Sequence, residues 1–212
     1  MPGQAQRDTD GQAGLRARKK ARTRQALRSA ALARARAQGP DGFTLQEVCD
    51  DAEVSARTFF NYYPGKDAVL FDWDEDMVAA LTAAVRDRPA GEDPATAVLT
   101  VVEGLVAALT TNPLWHEQIE LLRAYPELAP RMASVEWTVE DTLVRALAER
   151  AGRPVDDLAA RTAASVAMAA LRVTVTTWLA DPAGPDSRTV FRRVLEHTRA
   201  LFGPAPDRAA PG

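Results

Sequence analysis

Residues 43–66 read FTLQEVCDDAEVSARTFFNYYPGK, and this stretch decides the fold of the 212-residue chain. Thr44 is a good helix N-cap, and Glu47 three positions on completes a capping box, in which side chain and main chain satisfy each other's free donors. Leu45, Val48, Cys49 and Ala52 then recur at i, i+3, i+4 and i+7, one apolar stripe about two turns long. The stripe places Cys49 on a buried face as a small apolar residue rather than a reactive thiol. Glu53-Val54 interrupts the pattern. Ser55 caps a second short helix from Ala56 to about Tyr62, which Pro64-Gly65 ends. Two short helices joined by a three- to four-residue turn make a helix-turn-helix over residues 44–63.

The stripe, with Val54, Phe59 and Tyr63, supplies the small core of that motif. The second helix is left presenting Ser55, Ala56, Arg57, Thr58, Phe60, Asn61 and Tyr62. These side chains match what base edges and phosphates offer. Arginine bridges guanine O6 and N7, asparagine pairs with adenine N6 and N7, and threonine or phenylalanine lies against a thymine methyl. Recognition helices read mainly through their N-terminal residues. Arg57 and Thr58 are therefore the leading base readers, followed by Asn61. Tyr62, Lys66 and Thr44 suit phosphates, Thr44 partly because a helix N-terminus offers free N–H groups.

Working outward, a longer helix is expected from Ala17 to Gln38, stopped by Gly39, with a thin packing face of Leu27, Ala30, Ala31 and Ala35. Between Leu15 and Arg36 lie nine arginines and lysines and no acid. Residues 1–66 hold 12 basic and 7 acidic side chains, whereas residues 67–212 hold 14 and 22. A basic end on an acidic body is the asymmetry expected when one end meets a polyanion, although the overall net charge is −3.

Residues 23–70, with TRQALRSAAL and then GFTLQEVCDDAEVSARTFFNYYPGKDAVL, resemble the DNA-binding domain of TetR-family transcriptional regulators. The match rests on Thr44, Val48, Val54, Ser55, Thr58, Phe59, Phe60, Tyr62, Tyr63, Lys66 and Leu70, and covers about a quarter of the chain. It implies an all-α homodimer whose three N-terminal helices bind a double-stranded DNA operator, and whose larger helical-bundle domain binds a small effector and dimerises. It also implies phosphate contacts at Thr44, Tyr62 and Lys66, and major-groove contacts at Arg57, Thr58, Phe60 and Asn61. The sequence departs from the family at three places. Glu53 stands where a small residue is usual, Ala35 where a bulky aromatic is common, and Gly65 where serine usually caps. Phe43 is expected to fill the space at Ala35. Asp50 and Asp51 add further acid beside Glu53.

The organisation expected is a disordered arm over 1–16, the DNA-binding domain over 17–65, a ligand-binding and dimerisation domain over 66–203, and a disordered tail over 204–212. A connecting helix starts near Lys66 with Val69, Trp73, Met77, Leu81 and Val85 every four residues. Further helices follow Asp93-Pro94 and Asn112-Pro113, then run from about Pro130 to Ala151, Val155 to Leu179 and Ser187 to Phe202. In TetR-like proteins the last two pair with those of a second subunit. A pocket is expected among Trp115, Leu122, Tyr125, Met132, Trp137, Met168 and Trp178, each of which is also ordinary core composition. Arg172 either meets an anionic ligand or pairs with a carboxylate at a helix interface. The LLRAYPELAPRM stretch with Trp137 also resembles the sensor domain of a subgroup that takes acyl-CoA-like ligands.

Other classes find little support. No HExxH, GxSxG, P-loop or dinucleotide fingerprint is present, and His116-Glu117 with Glu120 is the nearest approach to a catalytic cluster. One cysteine and two histidines, His116 and His197, provide neither a disulfide framework nor a usual zinc set, so no metal or cofactor is expected. The chain starts with no apolar run, which favours the cytoplasm. The apolar stretch from Thr162 to Ala180 carries Arg172, which costs about 2.5–3.5 kcal/mol at a bilayer centre, and reads as a buried helix with no membrane role. A helical ligand-binding protein or enzyme without a DNA role, and a basic amphipathic membrane binder, remain as alternatives.

Overall fold

The structure is a computed structural model. It describes the backbone of residues 3–71, 75–181 and 183–202, and within these the side chains from residue 15 onward except Ala17, Asp67 and Phe202. Among the described residues there are α-helices and a single 3-10 turn, and no strand. The helices are α1 (Gly3–Gln38), α2 (Leu45–Asp51), α3 (Ala56–Phe60), α4 (Lys66–Leu70), α5 (Glu75–Arg86), α6 (Pro94–Thr110), α7 (Pro113–Ala124), α8 (Ala129–Arg150), α9 (Leu158–Ala180) and α10 (Ser187–Phe202), with the turn at Pro126–Leu128. The expected tail at 204–212 lies outside the described residues.

The chain forms two compact units that do not follow its linear order. One gathers Met1–Asp72 with Pro113–Ala133, and the other Trp73–Asn112 with Ser134–Gly212. In the first, α1 packs against α2, α4 and α7. Leu27, Ala31, Leu32 and Ala35 are fully buried, so Leu32 joins the face expected from the sequence. Phe43 is also buried. Gly39 ends α1 at φ +83°, and a methyl group there would come within 3.2 Å of the Tyr125 hydroxyl. Both the left-handed backbone and the close approach call for glycine.

Two expectations change in this unit. The helix α1 extends back to Gly3, taking in most of the arm expected at 1–16. No proline interrupts residues 3–38, and Gly11 and Gly14 cost a helix only about 1 kcal/mol each. The connecting helix near Lys66 ends at Leu70, because Phe71 leaves helical geometry (φ −134°, ψ 85°), and α5 begins at Glu75. In a continuous helix the Leu70 carbonyl would accept from the N–H four residues on. Here it accepts from the side-chain amide of buried Gln118 on α7. Arg28 of α1 donates to the other side of that amide. One glutamine thus joins three helices.

The second unit has a continuous core of Leu81, Val85, Val98, Val102, Val106, Leu143, Leu147, Met168, Leu171 and Phe191, drawn from α5, α6, α8, α9 and α10. Asp93 caps α6 by accepting from the Thr96 N–H at 3.1 Å, with Pro94 at the first helical position. Thr110 and Ser187 share a buried hydrogen bond of 2.8 Å that ties the end of α6 to the start of α10. Arg172 pairs with Glu136 of α8 at 3.3 Å, the interface reading of that arginine.

Candidate nucleic-acid interface

The helix-turn-helix forms as its local chemistry dictates. Thr44 Oγ1 accepts from the Glu47 N–H at 3.2 Å, while Glu47 Oε2 accepts from the Thr44 N–H at 2.7 Å. Val48 and Cys49 face inward with no exposure, and burial pushes the Cys49 thiol pKa up, as an inert core cysteine requires. The turn passes through Glu53, whose φ of +53° makes it the sole non-glycine residue of left-handed backbone among those described. Backbone of this hand favours glycine, so Glu53 is held there at a conformational cost. Ser55 caps α3, accepting from the Thr58 N–H at 3.1 Å and sharing a 2.9 Å hydrogen bond with the Thr58 hydroxyl.

Phe59 and Tyr63 anchor this helix from below. Both are buried, their rings lie 5.7 Å apart, and the Tyr63 hydroxyl donates to the Arg24 carbonyl of α1 at 3.3 Å. The opposite face carries Arg57 and Asn61, both exposed, and Phe60, which is 57% exposed and whose ring stands edge-on to Phe59 at 5.6 Å. Tyr62 is half-buried beside them. A guanidinium, a phenyl ring and a carboxamide therefore share one short outward surface, a set able to meet guanine, a thymine methyl and adenine.

Several other candidate residues are already engaged. The Ser55 and Thr58 hydroxyls are paired with each other, and Thr44 is held in its capping box. The Glu47 carboxylate thus sits at the α2 N-terminus, where the sequence places a phosphate. Its pKa is lowered by the Thr44 main-chain N–H first and the Thr44 hydroxyl second. Lys66 donates to the Phe43 carbonyl at 3.1 Å and lies 4.6 Å from the centre of the Phe43 ring. Arg34 is a residue that local spacing could not reveal. It grips Asp51 through two hydrogen bonds of 2.6 and 2.8 Å and reaches Glu47 at 3.0 Å, across 17 and 13 residues of sequence. Two acids beside the motif are thereby neutralised from α1, while Asp50 accepts from Gln46 at 2.7 Å.

The expected ligand-binding residues divide between the units. Trp115, Leu122, Tyr125 and Met132 belong to the first, and Trp115 is buried there while the other three are half-buried. Met168, Arg172, Trp178 and Trp137 belong to the second. Met168 is core, Trp178 is half-buried, and Trp137 stands 68% exposed on α8. The period of α8 explains Trp137. Its buried residues Val139, Leu143, Ala146 and Leu147 define one face, and position 137 lies off it. A cavity of about 650 Å³ lies elsewhere, an open depression lined by Ala95, Leu99, Arg153, Leu158, Thr162 and Val166. Among the described residues, no group of three or more His, Cys, Asp or Glu side chains is placed to hold a metal ion.

Comparison with known proteins agrees with this geometry. Residues 27–72 match the model for bacterial regulatory proteins of the tetR family, and residues 92–202 match the MftR C-terminal domain. The HTH-type transcriptional regulator TcmR of Streptomyces glaucescens is 30% identical over 158 residues, spanning 71% of this chain and 70% of that protein. Among solved structures, Thermus thermophilus FadR, a TetR-family repressor in complex with lauroyl-CoA, is 26% identical with a TM-score of 0.52, covering 89% of this chain and 99% of its own. Bacillus subtilis FadR in complex with stearoyl-CoA shares the fold at a TM-score of 0.54 and 16% identity, covering 85% and 99%. The chain belongs to the TetR family of bacterial transcriptional regulators.

Proposed function

We propose that the protein is a cytoplasmic, ligand-responsive repressor that binds a palindromic operator as a homodimer and leaves it when a small effector binds. The observation that carries this reading is the outward surface of Arg57, Phe60 and Asn61, held over the buried anchors Phe59 and Tyr63. A dimer places two such helices about 34–36 Å apart, one turn of DNA. Thr58 stands beside Arg57 as a base reader, while Thr44, Ser55, Tyr62 and Lys66 frame that surface and in this reading act on phosphates through what their present bonds leave available.

The second copy is assigned to α9. Its buried face holds Ala160, Ala164, Ala167, Met168, Leu171 and Thr174. The other side exposes Leu158, Val166 and Val173, with Thr162 and Ala169 between them and no charge along that line. At mean hydropathy 1.4, α9 is long and apolar enough to cross a membrane. The core packing of one face and the Arg172–Glu136 pair favour a protein interface instead. For the effector we infer an acyl-CoA-like molecule, on the footing of the FadR relatives and their lauroyl- and stearoyl-CoA ligands. Catalysis has no part in this role.

Selection of bound DNA from a random pool tests the proposal. A recovered palindrome, released on adding a long-chain acyl-CoA, supports it. Recovery of sequences without two-fold symmetry, or none above background, rejects it.

A further inference from the structure

The helix α1 carries an exposed segment before its packed part. Among the described residues its buried positions begin at Leu27, and Thr23 and Arg24 are half-buried. Before them Leu15, Arg16, Arg18, Lys19, Lys20, Ala21 and Arg22 are all exposed. Five of the seven residues 16–22 are basic, and no acid occurs between Leu15 and Arg36. Arg16 and Lys20, Arg18 and Arg22, and Lys20 and Arg24 each place like charges four apart, which disfavours an isolated helix. Such a run gains most where a polyanion neutralises it.

The basic run starts beside the helix-turn-helix. The Arg24 guanidinium sits 4.7 Å from the centre of the Tyr63 ring, immediately after the recognition helix. Lys20 and Arg16 follow Arg24 at intervals of four residues, so they continue the same face. At 1.5 Å per residue the basic segment extends about 12 Å outward from that point. It carries no apolar face to insert into lipid: Leu15 is its lone large apolar residue, and a membrane-bound helix needs a stripe of them.

We propose that residues 16–22 of α1 form a second DNA contact, binding phosphates that flank each operator half-site. This rests on the operator-binding reading above and adds a longer footprint, with affinity but no base preference. The phosphate backbone gives such contacts their salt dependence, since each one releases condensed counterions.

The test compares the full chain with an Arg16→Gln/Arg18→Gln/Lys19→Gln/Arg22→Gln variant. Glutamine keeps the helix propensity, and circular dichroism with thermal melting checks that the fold is retained. Affinity is measured against salt on three duplexes: the selected palindrome with 10-base-pair flanks, the palindrome trimmed of flanks, and a random sequence of the longer length. The variant is expected to bind the flanked duplex at least tenfold more weakly, and the trimmed one within twofold. The slope of log affinity against log salt should fall by about 0.9 per phosphate contact removed. Unchanged slopes on all three duplexes overturn the proposal. So does binding of the wild type to phosphatidylserine-containing vesicles, lost in the variant, with DNA slopes unaltered. The random duplex reads the segment even where no palindrome is selected, so failure of the operator reading and failure of this one give separate results.

Discussion

Gln118, buried on α7, donates its side-chain amide to the main-chain carbonyl of Leu70, the last residue of α4. Its amide oxygen accepts from Arg28 of α1, so one side chain closes a joint among helices 48 and 90 residues away in sequence. Any effector that displaces α7 also pulls on α4 and α1, which support the helix-turn-helix. Gln118→Leu should cost about 1–3 kcal/mol of stability, because it leaves buried polar groups without a partner. It should also weaken release by effector more than it weakens operator binding. Urea unfolding and operator titrations with and without ligand measure the two effects, and unaltered release would remove Gln118 from the coupling.

Glu53 occupies left-handed backbone at φ +53°. That conformation costs a side-chain-bearing residue roughly 1–2 kcal/mol, and glycine returns part of the gain through its greater unfolded freedom, roughly 0.5–1 kcal/mol. Glu53→Gly should therefore stabilise the protein by about 0.5–1 kcal/mol, the remainder of those two figures. Removing an acid beside α3 should also tighten DNA binding at low salt. A lower melting temperature for the variant would contradict the assignment of strain at this turn.

Gly42 has no room for a methyl group. A Cβ there would fall 2.0 Å from the Gln38 carbonyl oxygen at the end of α1. Gly42→Ala must shift the turn between α1 and α2, and a cost of about 1–3 kcal/mol is expected by analogy with overpacked cores. Differential scanning calorimetry reads it directly, and a melting temperature equal to the wild type would show that the turn yields freely.

Acid should loosen the same corner. The Arg34 guanidinium holds the Asp51 carboxyl below its ordinary pKa, and the Thr44 donors followed by Arg34 do so for Glu47. Because both folded values are depressed, their contribution is present above the ordinary carboxylate range. It is lost as pH falls through the folded values, below about pH 4. Both carboxylates face solvent, so the effect is modest and weakens with salt. Stability between pH 5 and pH 3 should fall less steeply in Arg34→Gln than in wild type. Parallel profiles would show that the pair contributes nothing.

What the sequence discloses is governed by range. The Thr44–Glu47 box, the Ser55 cap, the Asp93–Pro94 start and the Gly39 stop are each complete within four residues, and each appears where the pattern places it. The Arg34–Asp51 grip and the Gln118 joint need partners whose proximity exists only after folding, so no spacing announces them. The repeat from Val69 to Val85 reads as one helix, whereas Phe71 leaves helical geometry and the donor at the Leu70 carbonyl, Gln118, lies 48 residues away in sequence. Trp137 shows the limit of composition: an aromatic in a helix reads as core or pocket, and only the direction of the buried face puts it outside.

The central claim is that α3 reads bases through Arg57 and Asn61. Fluorescence anisotropy with a labelled operator, comparing wild type with the Arg57→Ala/Asn61→Ala double variant, tests it most directly. Each good bidentate contact gives about 1–3 kcal/mol of discrimination. The double variant should therefore lose at least tenfold in operator affinity while keeping its affinity for random DNA and its salt slope. Equal operator affinity in the two proteins would contradict the claim.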